Sequence, residues 1–342
     1  MNVFFLRRIY QAIPTLFGIS LLSFMLMLAT PGDPIATITF KPSSDPGAAM
    51  QLKRQLGLDQ PPLVQYIYWL VGNDWAQIDV DGDGQWDING TRHGVLRGDL
   101  GQSIALKRPV WDAIAERVPN TLLLGIPVLI VSYLIGVVIG VAAALNQGGY
   151  VDQISRILSV AGSAIPIFWL GLLLILLFSV RLDWLPMGGM RDITKKDVTF
   201  NLLESLPYMI MPVTVLSLSN IAVISRYARI QVLEVLSQDY VRTAKSKGLS
   251  RTRVNIWHVA RNALIPIVTL LGGSVGFLLG GAVIVEQVFS WPGLGQLTIS
   301  AVSQRDYPLI MGTVLISGVM YIVGLLITDV LYGLVDPRIR FG

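Results

Sequence analysis

Two short runs of residues invite a chemical reading. Gly272-Gly273-Ser274-Val275-Gly276 spells G-x-S-x-G, the turn that exposes a nucleophilic serine in hydrolases. That chemistry needs a strand–turn–helix setting and a base. The chain has two histidines, His93 and His258, and both lie in polar stretches. The second run, Asp79-Val80-Asp81-Gly82-Asp83-Gly84-Gln85-Trp86-Asp87, follows the opening of a calcium loop. Carboxylates stand at positions one, three and five, glycine at six, a backbone carbonyl at seven and Asp87 at nine. Position twelve, which should bring a bidentate acid, is Gly90. A weak calcium site on Asp79, Asp81, Asp83 and Asp87 is one reading, and a solvated acidic turn is the other. The absence of cysteine excludes disulfides and thiolate metal sites. No G-x-x-x-x-G-K-[ST] phosphate loop occurs, nor any Gly-Lys pair. A process driven by ATP would need its ATPase, with ATP and magnesium, on another chain.

The elements that must carry these residues are apolar. Of 342 residues, 53% are hydrophobic and 14% charged, where a soluble domain carries about 25% charged. Six stretches approach the roughly 20 apolar residues needed to cross a bilayer. They are Ile9–Leu28, Thr121–Leu145, Ile157–Val180, Leu206–Ser225, Ala263–Val285 and Leu309–Leu331. The first is too long for a signal peptide, and Leu28-Ala29-Thr30-Pro31 is a poor cleavage site, so it reads as an anchor. Pro14, Pro127, Pro166, Pro212 and Pro266 fall in or beside these stretches, as kinks or as lining of a path. Trp69, Trp75, Trp184 and Trp291 are expected near the outer interface.

Charge sets the expected orientation. With the N-terminus inside, the inner segments hold 13 basic and five acidic residues, and the outer segments 13 basic and 17 acidic. The stretch Arg226–Arg261 alone has eight basic residues against two acidic. Both termini are therefore expected in the cytoplasm. Ion-coupled carriers bury acids or bases at mid-membrane. Here Glu286 and Asp329 lie toward the ends of their spans and read as interfacial or packing contacts, which weakens an ion-coupled secondary transporter as the alternative.

The inner loop reads Gln238-Asp239-Tyr240-Val241-Arg242-Thr243-Ala244-Lys245-Ser246-Lys247-Gly248-Leu249-Ser250, and continues through His258-Val259-Ala260-Arg261-Asn262-Ala263-Leu264-Ile265-Pro266. It resembles the coupling loop of bacterial ABC-importer permeases of the dipeptide/oligopeptide group. The general form is Glu-Ala-Ala, three residues, then Gly. Here Arg242-Thr243-Ala244 stands in that place, with Gly248 at the right spacing. Other tracts resemble the same group: Pro31-Gly32-Asp33-Pro34, Gly98-Asp99-Leu100-Gly101, Phe289-Ser290-Trp291-Pro292-Gly293-Leu294-Gly295, Arg305-Asp306-Tyr307-Pro308 and Asp336-Pro337-Arg338.

The resemblance implies an all-α membrane protein, a six-helix type I ABC importer permease with a long periplasmic loop between its first two spans. Residues 1–116 would hold the first span and that loop, with an insertion at about 73–97. Residues 117–336 would form the permease core, with the coupling loop at about 226–262. Asp239, Tyr240, Arg242, Thr243, Ala244, Lys247 and Gly248 would couple to the ATPase. The implied partners are a second, related permease, two cytoplasmic ATPase subunits, an extracytoplasmic solute-binding protein and membrane lipid. The implied cargo is di- or oligopeptides, with nickel complexes or glutathione as alternatives. The implied location is the bacterial inner membrane.

Overall fold

The computed structural model describes residues 2–29, 46–55, 57–80, 88–192 and 202–335. Helix α1 runs Asn2–Ala29 with Pro14 inside it. Two short helices follow, α2 (Pro46–Gln55) and α3 (Pro62–Val71). A small antiparallel hairpin pairs β1 (Gln77–Ile78) with β2 (Ile88–Asn89), Gln77 opposite Asn89. Then come α4 (Val110–Ala115) and the long α5 (Val118–Leu145). Helix α6 (Tyr150–Ala164) gives way at Ile165 and Pro166 to α7 (Ile167–Leu174), which ends in a π-helical stretch, Ile175–Arg181. Helix α8 (Leu202–Leu236) is the longest, and α9 (Asp239–Ser246) follows it closely. The short α10 (Arg251–Arg253) leads through a π-helical stretch, Val254–Ala260, into α11 (Arg261–Val268) and α12 (Leu270–Val288). Helices α13 (Leu294–Ser303) and α14 (Tyr307–Val335) close the described chain.

Among the described residues, four helical segments are long and apolar enough to cross a membrane: Tyr10–Ala29, Val110–Leu145, Leu202–Leu236 and Tyr307–Leu331. Two bent pairs pass the same test together, and counting each as one span brings the number to six. The expected span Ile157–Val180 falls in one of these pairs, and its expected kink at Pro166 is a full break: α6 and the helix after Pro166 meet at 99°. Ile165 takes an extended backbone, φ −78° and ψ 125°, the conformation that the ring of a following proline favours. The other pair, Arg251–Val268 with Leu270–Gly276, bends by 41°. The polar stretch expected to begin at Arg226 is still α8 as far as Leu236.

The chain forms two compact units. One holds Arg7–Val118 with Leu297–Met320. Its core packs Phe24 and Met27 of α1 with Tyr66 and Trp69 of α3 and Met311 of α14. The Ser20 and Tyr66 hydroxyls share a 2.8 Å hydrogen bond inside it. Asp306 is fully buried and caps α14, accepting from Leu309 N at 3.2 Å. The same carboxylate accepts from Ser103 Oγ at 2.5 Å and Ala105 N at 2.9 Å, so one acid starts a helix and pins a distant loop.

The other unit holds Met1–Leu6, Pro119–Gln296 and Tyr321–Gly342. Here α6 lies on α8 through small and polar residues. Gly162 faces Ala222 and Leu218, Ser159 Oγ is 3.1 Å from Ser225 Oγ, and Ser219 Oγ donates to Gly162 O at 3.4 Å. The buried residues of α6 are Asp152, Ser155, Ser159 and Gly162, while Val151, Ile154, Ile157 and Leu158 are exposed. Polar inside and apolar outside inverts the pattern of a water-soluble helix. It suits a helix that meets lipid on one face and packs by close approach on the other. A second core joins Val128 of α5 to Met211, Val215 and Leu216 of α8 and Val285 of α12. The tryptophans split: Trp75 and Trp184 are exposed, but Trp69 and Trp291 are core residues, against the expectation of an interfacial place.

Candidate coupling site

Helix α9 is eight residues long, with Asp239 in its first turn and Lys245 in its last, both matched to the helix dipole. Val241 and Ala244 stand three apart and so share a face. Both are buried in a cluster with Ala144 of α5, Val232 of α8, Val254, Val259 and Ala263. Asp239, Tyr240, Arg242, Thr243 and Lys247 are exposed. Arg242 reaches Asp239 at 3.7 Å, a solvent-open pair of little energetic weight. The helix ends where Gly248 N donates to Lys245 O at 3.0 Å and Gly248 turns left-handed at φ +77°. Ser250 then opens α10, its hydroxyl accepting from Arg253 N at 3.4 Å. The structure thus gathers six of the seven expected coupling residues on one exposed knob. Ala244 lies beneath it, where its small size lets α9 sit close.

Two polar clusters brace the helices that hold this knob. Asp152 of α6 is 1% exposed, and Arg229 of α8 donates to it through Nε at 2.6 Å and Nη2 at 2.9 Å. Gly148 N adds a third bond at 3.0 Å. Sequence reasoning counted both residues as loop charges. The available signal was Asp152, Ser155, Ser159 and Gly162 recurring at helical spacing inside an apolar run. The second cluster surrounds Glu286, which is fully buried at the end of α12. It accepts from Thr121 Oγ1 at 2.8 Å and from Gln296 N at 3.0 Å. Leu294 N donates to Thr121 Oγ1, and Trp291 Nε1 donates to Asn120 O at 2.9 Å. Gly293 leaves the carboxylate its room, because a Cβ there would collide with it. The expected packing role for Glu286 therefore holds in this unit.

In the unit built on Arg7–Val118, Arg97 donates twice to Asp74, at 2.5 and 2.7 Å. That pairing holds the Asp74 carboxyl well below the usual carboxylate range, against the opposing effect of burial, with His93 at 3.2 Å assisting. Burial pushes Asp99 up, yet N–H groups of His93 and Gly101 and the charge of Arg92 bring it below its ordinary value. Of the expected calcium ligands, Asp79 follows β1, while Asp81, Asp83 and Asp87 lie outside the described residues. No group of three metal-ligating side chains occurs among the described residues. Gly90 packs directly on Asn73, so an acid could not replace it without moving that side chain. Ser274 sits inside α12, donating to Leu270 O at 3.0 Å and sharing a 3.1 Å contact with Tyr133. A serine in mid-helix has no nucleophile elbow, so the G-x-S-x-G spelling reflects helix packing.

Spanning helices, a broken arm and a short basic knob seated at one end define the frame of a membrane permease. The chain belongs to the family described as binding-protein-dependent transport system inner membrane component, which it matches over residues 136–341. Residues 1–125 match the corresponding N-terminal family. The chain is 40% identical to the oligopeptide transport system permease protein AppB of Bacillus subtilis (strain 168), over 100% of both chains. It is 38% identical to the dipeptide transport system permease protein DppB of Escherichia coli (strain K12), over 99% of each. It is 39% identical to the di/tripeptide transport system permease protein DppB of Pseudomonas aeruginosa (strain UCBPP-PA14), again over 99% of each. Its fold is similar to a solved structure of the MetNI methionine ABC transporter in an inward-facing conformation, with a TM-score of 0.51 at 17% identity. That match covers 65% of this chain and 96% of the other. The chain is thus a multi-pass inner-membrane permease that works with ATPase and substrate-binding components.

Proposed function

We propose that this chain forms half of the transmembrane path of an ATP-driven peptide importer, and that α9 is the lever through which ATP acts. The observation that carries this reading is the two-faced α9: Val241 and Ala244 fix it to the helices, and Asp239, Tyr240, Arg242, Thr243 and Lys247 stand free for a partner. A rigid knob transmits a push only if its base does not slide. Closure of two ATPase subunits around ATP moves the knob, and the spanning helices follow between inward- and outward-open states. A second, related permease completes the path, and an extracytoplasmic binding protein delivers the cargo. The chain lacks a phosphate loop, so hydrolysis belongs to the ATPase subunits. The excess of basic residues at the α9 end supports a cytoplasmic place for that end and for both termini. The peptide permeases among its relatives, at 38–40% identity over the full length, support di- or oligopeptides as cargo.

The test is the assembled complex in liposomes. Ala244→Asp buries a carboxylate in an apolar cluster at about 3–5 kcal/mol, the range for an unpaired buried charge. Arg242→Glu with Lys247→Glu reverses the exposed face and leaves the base intact. Both variants should insert, and both should lose peptide-stimulated ATP hydrolysis. Normal stimulation in the charge-reversal variant, or uptake driven by an ion gradient without ATPase subunits, overturns the reading. Calcium at Asp79, Asp81, Asp83 and Asp87 is a separate proposal, supported by the hairpin that brings both ends of that tract together. A dissociation constant of about 0.1–1 mM fits extracellular-type sites. Calcium titration of the complex without saturable binding at several times that concentration would rule it out.

A further inference from the structure

We propose that the cleft between α6 and α8 binds the phosphate of an anionic membrane lipid. A cavity of about 280 Å³ opens there, lined by Ser155, Arg156, Ser159, Ser225, Arg226 and Arg229. Three guanidinium groups share the site with one carboxylate. Asp152 is committed to Arg229 by two short hydrogen bonds, and Arg156 approaches the same carboxylate only at 3.5 Å. Arg226 has no acidic partner among the described residues. The site thus holds two positive charges in excess. A surplus of cations beside apolar surface draws an anion, and arginine pairs with phosphate through two parallel N–H bonds.

The walls choose between a lipid and a free anion. Val160 and Ile230 complete the lining, and Ile157 and Val223 are exposed on the same two helices. A soluble anion has no use for this apolar rim. A phospholipid fills both parts at once, headgroup in the cleft and acyl chains along the rim. Basic pockets between spanning helices hold anionic headgroups in this way. The volume is below the roughly 300–1,000 Å³ of sites for drug-sized ligands, which suits a headgroup better than a peptide. The site also lies near the knob. Arg226 is six residues, about 9 Å of helix, from Val232, which packs in the cluster under α9. A bound lipid would clamp α6 to α8 just above the base of the lever.

The test is native mass spectrometry of the assembled transporter, with phosphatidylglycerol and phosphatidylcholine offered at equal concentration. Phosphatidylglycerol should be retained over phosphatidylcholine. Arg156→Gln or Arg226→Gln should weaken that retention about fivefold each, and the pair about 25-fold. Arg226→Gln leaves the Asp152–Arg229 pair untouched, so it reports even if the double variant assembles poorly. Replacement of both by lysine should keep most of the retention. Equal retention of the two lipids, unchanged retention in Arg226→Gln, or displacement of phosphatidylglycerol by millimolar inorganic phosphate overturns the proposal. The last result would mark a site for free anions.

Discussion

Gly248 separates two kinds of damage. Its φ of +77° is one that a residue with a Cβ adopts at a cost of roughly 1–2 kcal/mol, and more when the side chain is β-branched. Nothing lies within 4 Å of where its Cβ would be, so the cost is one of backbone conformation and not of space. Gly248→Val should therefore unseat the end of α9 and lower ATP-coupled uptake. Gly248→Asn, which tolerates the left-handed region, should keep most of it. Equal uptake by the two variants would refute this. Asp74 gives a pH test. Its folded value is depressed, so its contribution is present above the ordinary carboxylate value of about 3.9 and fades as pH falls through the folded one. Amide protection around Arg92–Arg97, taken relative to the intrinsic exchange rate at each pH, should stay constant from pH 7 to 5, and Asp74→Asn should lower it at pH 7. The knob residues were legible because charge and a left-handed glycine leave marks in sequence. The inward turn of Ala244 was not, since an alanine suits either face. The burial of Trp69 and Trp291 was hidden for a similar reason: an indole suits both an interface and a core.

Close helix contact makes a sharper test at the level of elements. Gly140 of α5 sits where a Cβ would come within 2.5 Å of Ser225 O, a backbone atom of α8. At Gly162 of α6 the nearest atoms would be 3.5 Å away, an ordinary contact. Gly140→Ala should thus force α5 and α8 apart at about 1–3 kcal/mol, and Gly162→Ala should be nearly neutral. Thermal unfolding of the two variants in detergent would show the difference, and equal shifts would refute it. The apolar stretches were easy to read because lipid demands length and hydropathy. The 99° break was not. Pro14, Pro127, Pro212 and Pro266 all sit inside continuous helices, and only Pro166 among the five parts two of them. What distinguishes it is the packing of the arms on either side, which a local sequence window does not contain.

For the molecule as a whole, the lack of cysteine makes orientation testable without background. A cysteine at Lys245 should react with a membrane-impermeant maleimide only in opened cells. One at Leu96, which is exposed, should react in spheroplasts left intact. The reverse pattern would invert the orientation. The inverted face of α6 also bears on how the protein is made. Asp152, Ser155 and Ser159 need α8 to cover them, and residues 165–201 must be synthesised before α8 begins. At about 5–20 residues per second, α6 leaves the ribosome seconds ahead of its partner. In that interval it cannot settle among lipid tails with a carboxylate uncovered. The turn at Pro166 offers a way to wait, with α6 lying along the surface while the next helix enters the bilayer. A cysteine at Ser159 should then be open to a water-soluble reagent in nascent chains halted at Leu202 and closed in chains halted at Gly295, when all of α8 has cleared the ribosome and Arg229 can lock the arm down.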